Sequence, residues 1–113
     1  MDRLKKRSDF LRAARGIRRV TPGLTLEICA NPGFDAVRVG FTASRKVGNA
    51  VVRNRAKRRL RAAAAQILSQ SGRPGTDYVL VARHGTVTRP FESLTADLAQ
   101  ALRAAHLKLV GEV

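Results

Sequence analysis

The chain has 113 residues, 44% of them hydrophobic, which suits one domain of about 100 to 150 residues that hides roughly two-thirds of its unfolded surface. Lys and Arg number 22 against 8 Asp and Glu, a net charge of +14, and a patterned chain that folds against such self-repulsion holds the charge for a partner. No run approaches the roughly 18 apolar residues of a membrane span, the basic first twenty residues lack a signal-peptide core, and Cys29 has no second thiol to pair with, so a cytoplasmic protein without an internal disulfide or membrane attachment is expected.

From the N-terminus, Ser8 is placed to cap a short helix over Asp9 to Arg15 that Gly16 ends in a left-handed stop, with Phe10, Leu11 and Ala14 on its apolar side. Leu24, Leu26 and Ile28 then alternate with Thr25, Glu27 and Cys29. After the turn Asn31-Pro32-Gly33, Val37, Val39 and Phe41 alternate with Arg38, Gly40 and Thr42. Both runs read as strands with one buried face. From Asn49, an N-cap, to Ser69 the period is helical, and beyond the breaker Ser71 to Gly75 the run Tyr78 to Ala82 reads as a central strand. A last helix follows Pro90, with Leu94, Leu98, Leu102, Ala105 and Leu109 at spacings of three and four. The order α-β-β-α-β-α, with room for one extra short strand, predicts an α/β chain, and the absence of repeats and linkers predicts a single domain over residues 1–113.

Charge is unevenly spread along these elements. Residues 1 to 20 carry eight Lys or Arg against Asp2 and Asp9, residues 36 to 76 carry ten against no acid, and residues 77 to 113 balance four against four. Such a footprint favours nucleic acid as the partner. An acidic membrane would need a lipid-facing amphipathic stripe that the sequence lacks.

The footprint is sharpest on the helix after Asn49. Val52, Ala56, Leu60, Ala63 and Ile67 project within about 80° of one another at 100° per residue, and this side is expected on the sheet. Asn54, Lys57, Arg58 and Arg61 fall on the far side, with Arg53 on one flank of the stripe and Arg55 and Arg59 on the other. Arg53/Lys57, Lys57/Arg61 and Arg55/Arg59 are like-charge i,i+4 pairs, each unfavourable by a few tenths of a kcal/mol, and no Glu relieves them. Phosphates reverse the sign of that term, because guanidinium forks match phosphate oxygens and displaced counterions gain entropy. Double-stranded DNA is a less suitable target, since the second helix of a helix-turn-helix is missing; the irregular phosphate surface of folded RNA suits an arginine-rich helix on a small sheet.

The run Ser44-Arg45-Lys46-Val47-Gly48-Asn49-Ala50-Val51-Val52-Arg53-Asn54-Arg55-Ala56-Lys57-Arg58-Arg59-Leu60-Arg61 resembles the signature of the bacterial ribonuclease P protein subunit. The likeness extends to Arg3-Leu4-Lys5-Lys6 with Asp9-Phe10, to Arg38-Val39-Gly40-Phe41, and to Tyr78-Val79-Leu80-Val81-Ala82-Arg83, nearly the whole chain. It implies a two-layer sandwich of a small mixed sheet with about three helices, and a left-handed β-α-β crossover where spacing alone would give the usual right-handed one. It also implies an accessory role in an endoribonuclease whose catalyst is an RNA: magnesium, held mainly by that RNA and the substrate, serves hydrolysis at the 5′ end of precursor tRNA. On this resemblance Arg45, Lys46, Asn49, Arg53, Asn54, Arg55, Lys57, Arg58 and Arg61 would bind the catalytic RNA, and Phe10, Ser44 and Lys46 would line a cleft for the single-stranded leader. No obligate protein partner is expected. Ala14 and Glu27 depart from positions that are often aromatic in the family, which weakens base stacking there.

Other chemistry finds little support. Glu27 and Asp35 are the acids between residues 10 and 76, too few for a self-sufficient metal nuclease. His84 and His106 lack metal-ligand spacing and read as surface or loop residues. Two classes stay open, a subunit of a ribonucleoprotein nuclease and a pure RNA-binding protein such as a ribosomal component or RNA chaperone.

Overall fold

A computed structural model describes residues 1–111. In chain order it contains β1 (Asp2–Arg3), α1 (Arg7–Ala14), β2 (Ile17–Val20), β3 (Leu24–Ala30), β4 (Val37–Thr42), α2 (Ala50–Ser71), β5 (Thr76–Ala82), α3 (His84–Thr88) and α4 (Phe91–Gly111). The strands make a mixed sheet in the order β1-β4-β5-β3-β2. The apolar run Tyr78 to Ala82 lies in its middle strand, antiparallel to β3 and parallel to β4, as a strand covered on both faces should. Helix α2 supplies the crossover that the parallel pair β4 and β5 requires.

The main core lies between one face of the sheet and the helices α2 and α4. Leu24, Leu26, Ile28, Val39, Tyr78 and Leu80 meet Ala56, Leu60, Ala63 and Leu68 of α2 and Leu94, Leu98, Leu102 and Ala105 of α4. The apolar stripe of α2 is turned slightly from its expected position: Ala64 and Leu68 are buried, whereas Val52 and Ile67 are half-covered. The cause is α4, which packs beside α2 and draws its inward face toward that contact.

On the opposite face α1 covers part of the sheet, packing Leu4, Phe10 and Ala13 on Val79, Val81 and Cys29. This corrects the expectation of one buried side per strand. Thr25 and Arg38, on the nominally polar side, are buried as well, Arg38 because α1 lies over it with Asp9 as an ion partner. The helix itself also differs from its expected form. It begins at Arg7, Lys6 stands at the cap position without a side-chain bond, and Ser8 is exposed within the first turn. Leu11 and Ala14 face solvent while Ala13 is buried; the surface that receives the helix, not its apolar count, selects the inward side. Gly16 ends the helix without a left-handed backbone. Its requirement is closeness: a Cβ there would sit 2.1 Å from the Ile28 carbonyl oxygen.

Strands β1 and β2 and helix α3 add to the expected order. β2 pairs antiparallel with β3 at the sheet edge, and of its residues Ile17 alone is buried, so no alternation marks it. β1 holds only two residues, in parallel with Arg38 and Val39.

His106 is buried, correcting its reading as a surface residue. Its Nε2 lies 2.7 Å from the Tyr78 hydroxyl, which also accepts the Arg73 N–H at 2.9 Å. The hydroxyl, accepting from Arg73, still has its own proton to donate to Nε2 of a neutral ring, the form that burial favours. Burial, reinforced by the charge of Arg73, pushes the imidazole pKa below its ordinary value. The unfolded chain therefore takes up this proton at a higher pH than the folded one, and the contribution of His106 is complete above the unfolded pKa of about 6.5 and declines as pH falls through and below it. Thermal unfolding between pH 7.5 and 5 should show a steeper loss of Tm for the wild-type chain than for His106→Gln, which keeps an acceptor without titrating; equal slopes would contradict the neutral buried ring.

Candidate nucleic-acid interface

The segment joining β4 to α2 sets the interface in place. Val47 is buried against the core while the turn around it closes through the Val47 N–H to the Ser44 carbonyl at 3.1 Å and the Gly48 N–H to the Arg45 carbonyl at 3.2 Å. Ser44, Arg45 and Lys46 are left exposed on its outer side. Asn49 then caps α2, its Oδ1 accepting the Val52 N–H at 3.0 Å. That bond is the N-cap expected from the sequence and fixes where the helix starts, hence which residues face outward.

From Asn49 onward the cations divide by what they touch. Asn54, Arg55, Arg58 and Arg61 are exposed and Lys57 is half-exposed, and none of the four cations makes an ion pair among the described residues. Arg53 is half-buried and donates from Nη1 to the Gly48 carbonyl at 3.1 Å, which ties it to the turn. Arg59 points elsewhere. Its Nε donates to the Thr86 carbonyl at 2.8 Å and its Nη2 to the Arg89 carbonyl, so it satisfies carbonyls at the end of α3 instead of joining the outer face. At the other flank Arg61 shares a shallow groove with Arg3 and Phe41, and the Arg3 guanidinium lies 5.2 Å from the Phe41 ring centre. The α2 face thus continues onto Arg3 of the N-terminal strand.

Phe10, Ser44 and Lys46 are arranged along β4. The Phe10 ring lies on the backbone of Gly40, where a Cβ would stand 2.5 Å from the ring; glycine is what lets the aromatic settle there. Ser44 and Lys46 lie in the exposed turn just beyond that strand. Glu27, half-buried on β3, is 3.9 Å from Arg18 of β2, and its burial raises its carboxyl pKa.

A set of ion pairs beneath α1 escaped the sequence reading. Arg38 Nη2 is 2.7 Å from Asp9 Oδ2, and its Nε is 3.4 Å from Asp77 Oδ1. Arg12 Nη2 reaches Asp9 Oδ1 at 2.7 Å and Asp77 Oδ2 at 3.1 Å, and Asn31 donates to the same Asp77 oxygen at 3.1 Å. Asp77 is fully buried. The hydrogen bond from Arg12 to Asp77, with further help from Cys29 and Asp9, raises the guanidinium pKa above its ordinary value. The signal available beforehand was the odd placement of Asp77 directly before an apolar central strand and of Arg38 inside an alternating one. Replacing Asp77 by Ala should leave Arg38 buried beside one carboxylate and cost on the order of 3 to 5 kcal/mol, read by urea unfolding; a loss under about 1 kcal/mol, typical of surface ion pairs, would show that the network does not hold α1.

Comparisons with known proteins bear on this arrangement. A family model described as Ribonuclease P matches residues 1–106. The Ribonuclease P protein component of Ruegeria pomeroyi is 53% identical over 106 residues, covering 91% of this chain and 85% of that protein; that of Paramagnetospirillum magneticum is 49% identical over 108 residues, covering 91% and 81%. Among solved structures, the RNase P protein of Staphylococcus aureus matches with a TM-score of 0.77 at 28% identity, covering 93% of this chain and 95% of that one. The protein of Thermotoga maritima matches at 0.76 and 27%, covering 92% and 97%. With the exposed α2 face and its Asn49 cap inside the matched span, the chain belongs to the Ribonuclease P family.

Proposed function

We propose that this chain is the protein component of a bacterial ribonuclease P, which binds the catalytic RNA and the 5′ leader of precursor tRNA and assists removal of that leader. The observation that carries the reading is the outer face of α2: among the described residues Arg55, Lys57, Arg58 and Arg61 have no ion partner, on a helix whose other side is buried. Cations left unneutralised at their own electrostatic expense favour a dense array of phosphates. Arg45 and Lys46 extend the face toward the turn, Asn54 adds an amide that can donate and accept, and Asn49 and Arg53 fix the geometry through the helix cap and the bond to the Gly48 carbonyl. Phe10, Ser44 and Lys46 would meet the leader, the aromatic ring offering a stacking surface and the lysine a phosphate contact.

Magnesium, in this reading, sits with the RNA and the substrate phosphates and supplies the charge that activates water there. Three of the chain's eight acids are engaged otherwise, Asp9 and Asp77 with Arg12 and Arg38, and Asp97 with Arg89 at 2.8 Å, and among the described residues no group of three His, Cys, Asp or Glu could hold a metal ion. The protein's share is to hold RNA strands and lower their mutual repulsion. The setting we propose is the cytoplasm; among the described residues no helix is long and apolar enough to cross a membrane.

Reconstitution tests the proposal. Added to a bacterial ribonuclease P RNA at low magnesium, the protein should accelerate leader release from precursor tRNA. A ribosomal component or RNA chaperone would bind RNA without that acceleration. Neutralising Lys57, Arg58 and Arg61 together should weaken binding to the catalytic RNA and flatten its salt dependence by about 0.7 to 0.9 log units per log salt for each lost phosphate contact. An unchanged slope would remove the α2 face from the interface.

A further inference from the structure

Helix α1 divides its face of the sheet, and a second basic cleft lies on the far side of it from Ser44 and Lys46. The cleft, about 570 Å³, is formed by the N-terminal strand, the start of α1 and the turn between β3 and β4, with Lys5, Lys6, Arg12, Asn31, Phe34 and Arg38 in its walls. Arg38 and Ser44 are six residues apart along and just beyond β4, roughly 20 Å at the rise of an extended strand, and Phe10 on Gly40 stands between them.

Phe34 is the unusual member. It is 52% exposed, yet its ring is held: the Arg38 guanidinium lies 4.1 Å from the ring centre, and Arg38 is in turn fixed by Asp9 and Asp77. A half-exposed aromatic backed by an immobilised cation is a rigid stacking platform that loses little entropy on binding. Charge around it is favourable to an anion. Asp2 and Asp9 also line the cleft, but Asp9 is matched by Arg12 and Arg38, while Lys5 and Lys6 make no ion pair among the described residues.

We infer that this cleft is a second RNA-binding subsite that takes one unpaired nucleotide of a single strand, its base stacked on Phe34 and its phosphates on Lys5 and Lys6. The inference rests on the reading of this chain as an RNA-binding protein, and it adds a contact on the other side of α1 from the leader cleft, joined to the outer face of α2 only through Arg3. Stacking would make the site tolerant of sequence, since every base has a π face, while the lysines supply its salt dependence.

The test uses a fluorescent single-stranded oligoadenylate octamer, followed by anisotropy, with the full chain carrying Lys57→Gln, Arg58→Gln and Arg61→Gln so that the α2 face contributes little. Phe34→Leu in this background should weaken binding at least about five-fold, the low end of base–aromatic stacking, without altering the salt slope. Lys5→Gln with Lys6→Gln should flatten that slope by about 0.7 per lost contact. An octamer with abasic sugars should lose the dependence on Phe34. Circular dichroism melting of each variant separates a folding defect from a binding one, and Phe34, being half-exposed, should tolerate leucine. Unchanged affinity in both variants would overturn the subsite, as would an equal effect of Phe34→Leu on the abasic octamer. Failure of leader release in the reconstituted enzyme would leave this result standing, so the two readings fail separately.

Discussion

The structure depends on holding one helix against its own electrostatics. Between Arg53 and Arg61 α2 carries six cations and no acid. Their like-charged neighbours oppose one another, and Arg53, nearest the helix start, also faces the positive end of the helix dipole. No local compensation is on offer. Stability has to come from the underside, where Ala56, Leu60, Ala63, Ala64 and Leu68 are buried, and from the Asn49 cap that fixes the first turn. Each buried leucine contributes roughly 1.5 to 3 kcal/mol relative to exposure, against a few tenths for each like-charge pair. Burial wins, and the unfavourable field is retained for a polyanion to relieve.

The same residue type is used in the opposite way elsewhere. Arg12 and Arg38 share Asp9 and Asp77 under α1, Arg89 is paired with Asp97, and Arg59 closes on the carbonyls of Thr86 and Arg89. These arginines are structural. Their planar forks meet two acceptors at once, which a lysine ammonium would match less well. Because several of the chain's acids are drawn into these pairs, the cations on α2 and in the turn before it have few intramolecular competitors for phosphate. Segregating the acids is thus part of building the interface.

That division explains what could be read in advance. The Asn49 cap, the inward Ala56, Leu60 and Ala63, the central Tyr78 to Ala82 strand and the leucines of α4 follow from periodicity and turn chemistry acting within one element, and each stands where expected. Resemblance to the family added the two-layer sandwich. What stayed hidden required a partner from far along the chain. Arg38 looked like the solvent side of a strand until α1 brought Asp9 over it; His106 looked like a helix-surface residue until Tyr78 supplied a hydroxyl 28 positions away in sequence. The edge strand Ile17–Val20 has too little buried surface to leave a pattern, and its existence follows from the register offered by β3. Arg59 and Arg58 are adjacent and identical in sequence, and only the arrival of α3 distinguishes a tether from an exposed cation.

Strand β4 links the two faces of the sheet. Arg38 and Gly40, on its α1 side, hold the helix down, one by charge and one by having no side chain where Phe10 must lie. Val39, between them, points to the opposite core with α2 and α4. The strand then runs directly into the turn of Ser44 to Gly48 and the cap of α2. A shift of β4 by one residue would exchange its faces, burying the wrong groups beneath α1 and rotating the entry of α2 together. The positions of Phe10, of the exposed turn and of the α2 cations are therefore not independent: one register, set by pairing with β5 from Val37 to Thr42, fixes all three relative to one another.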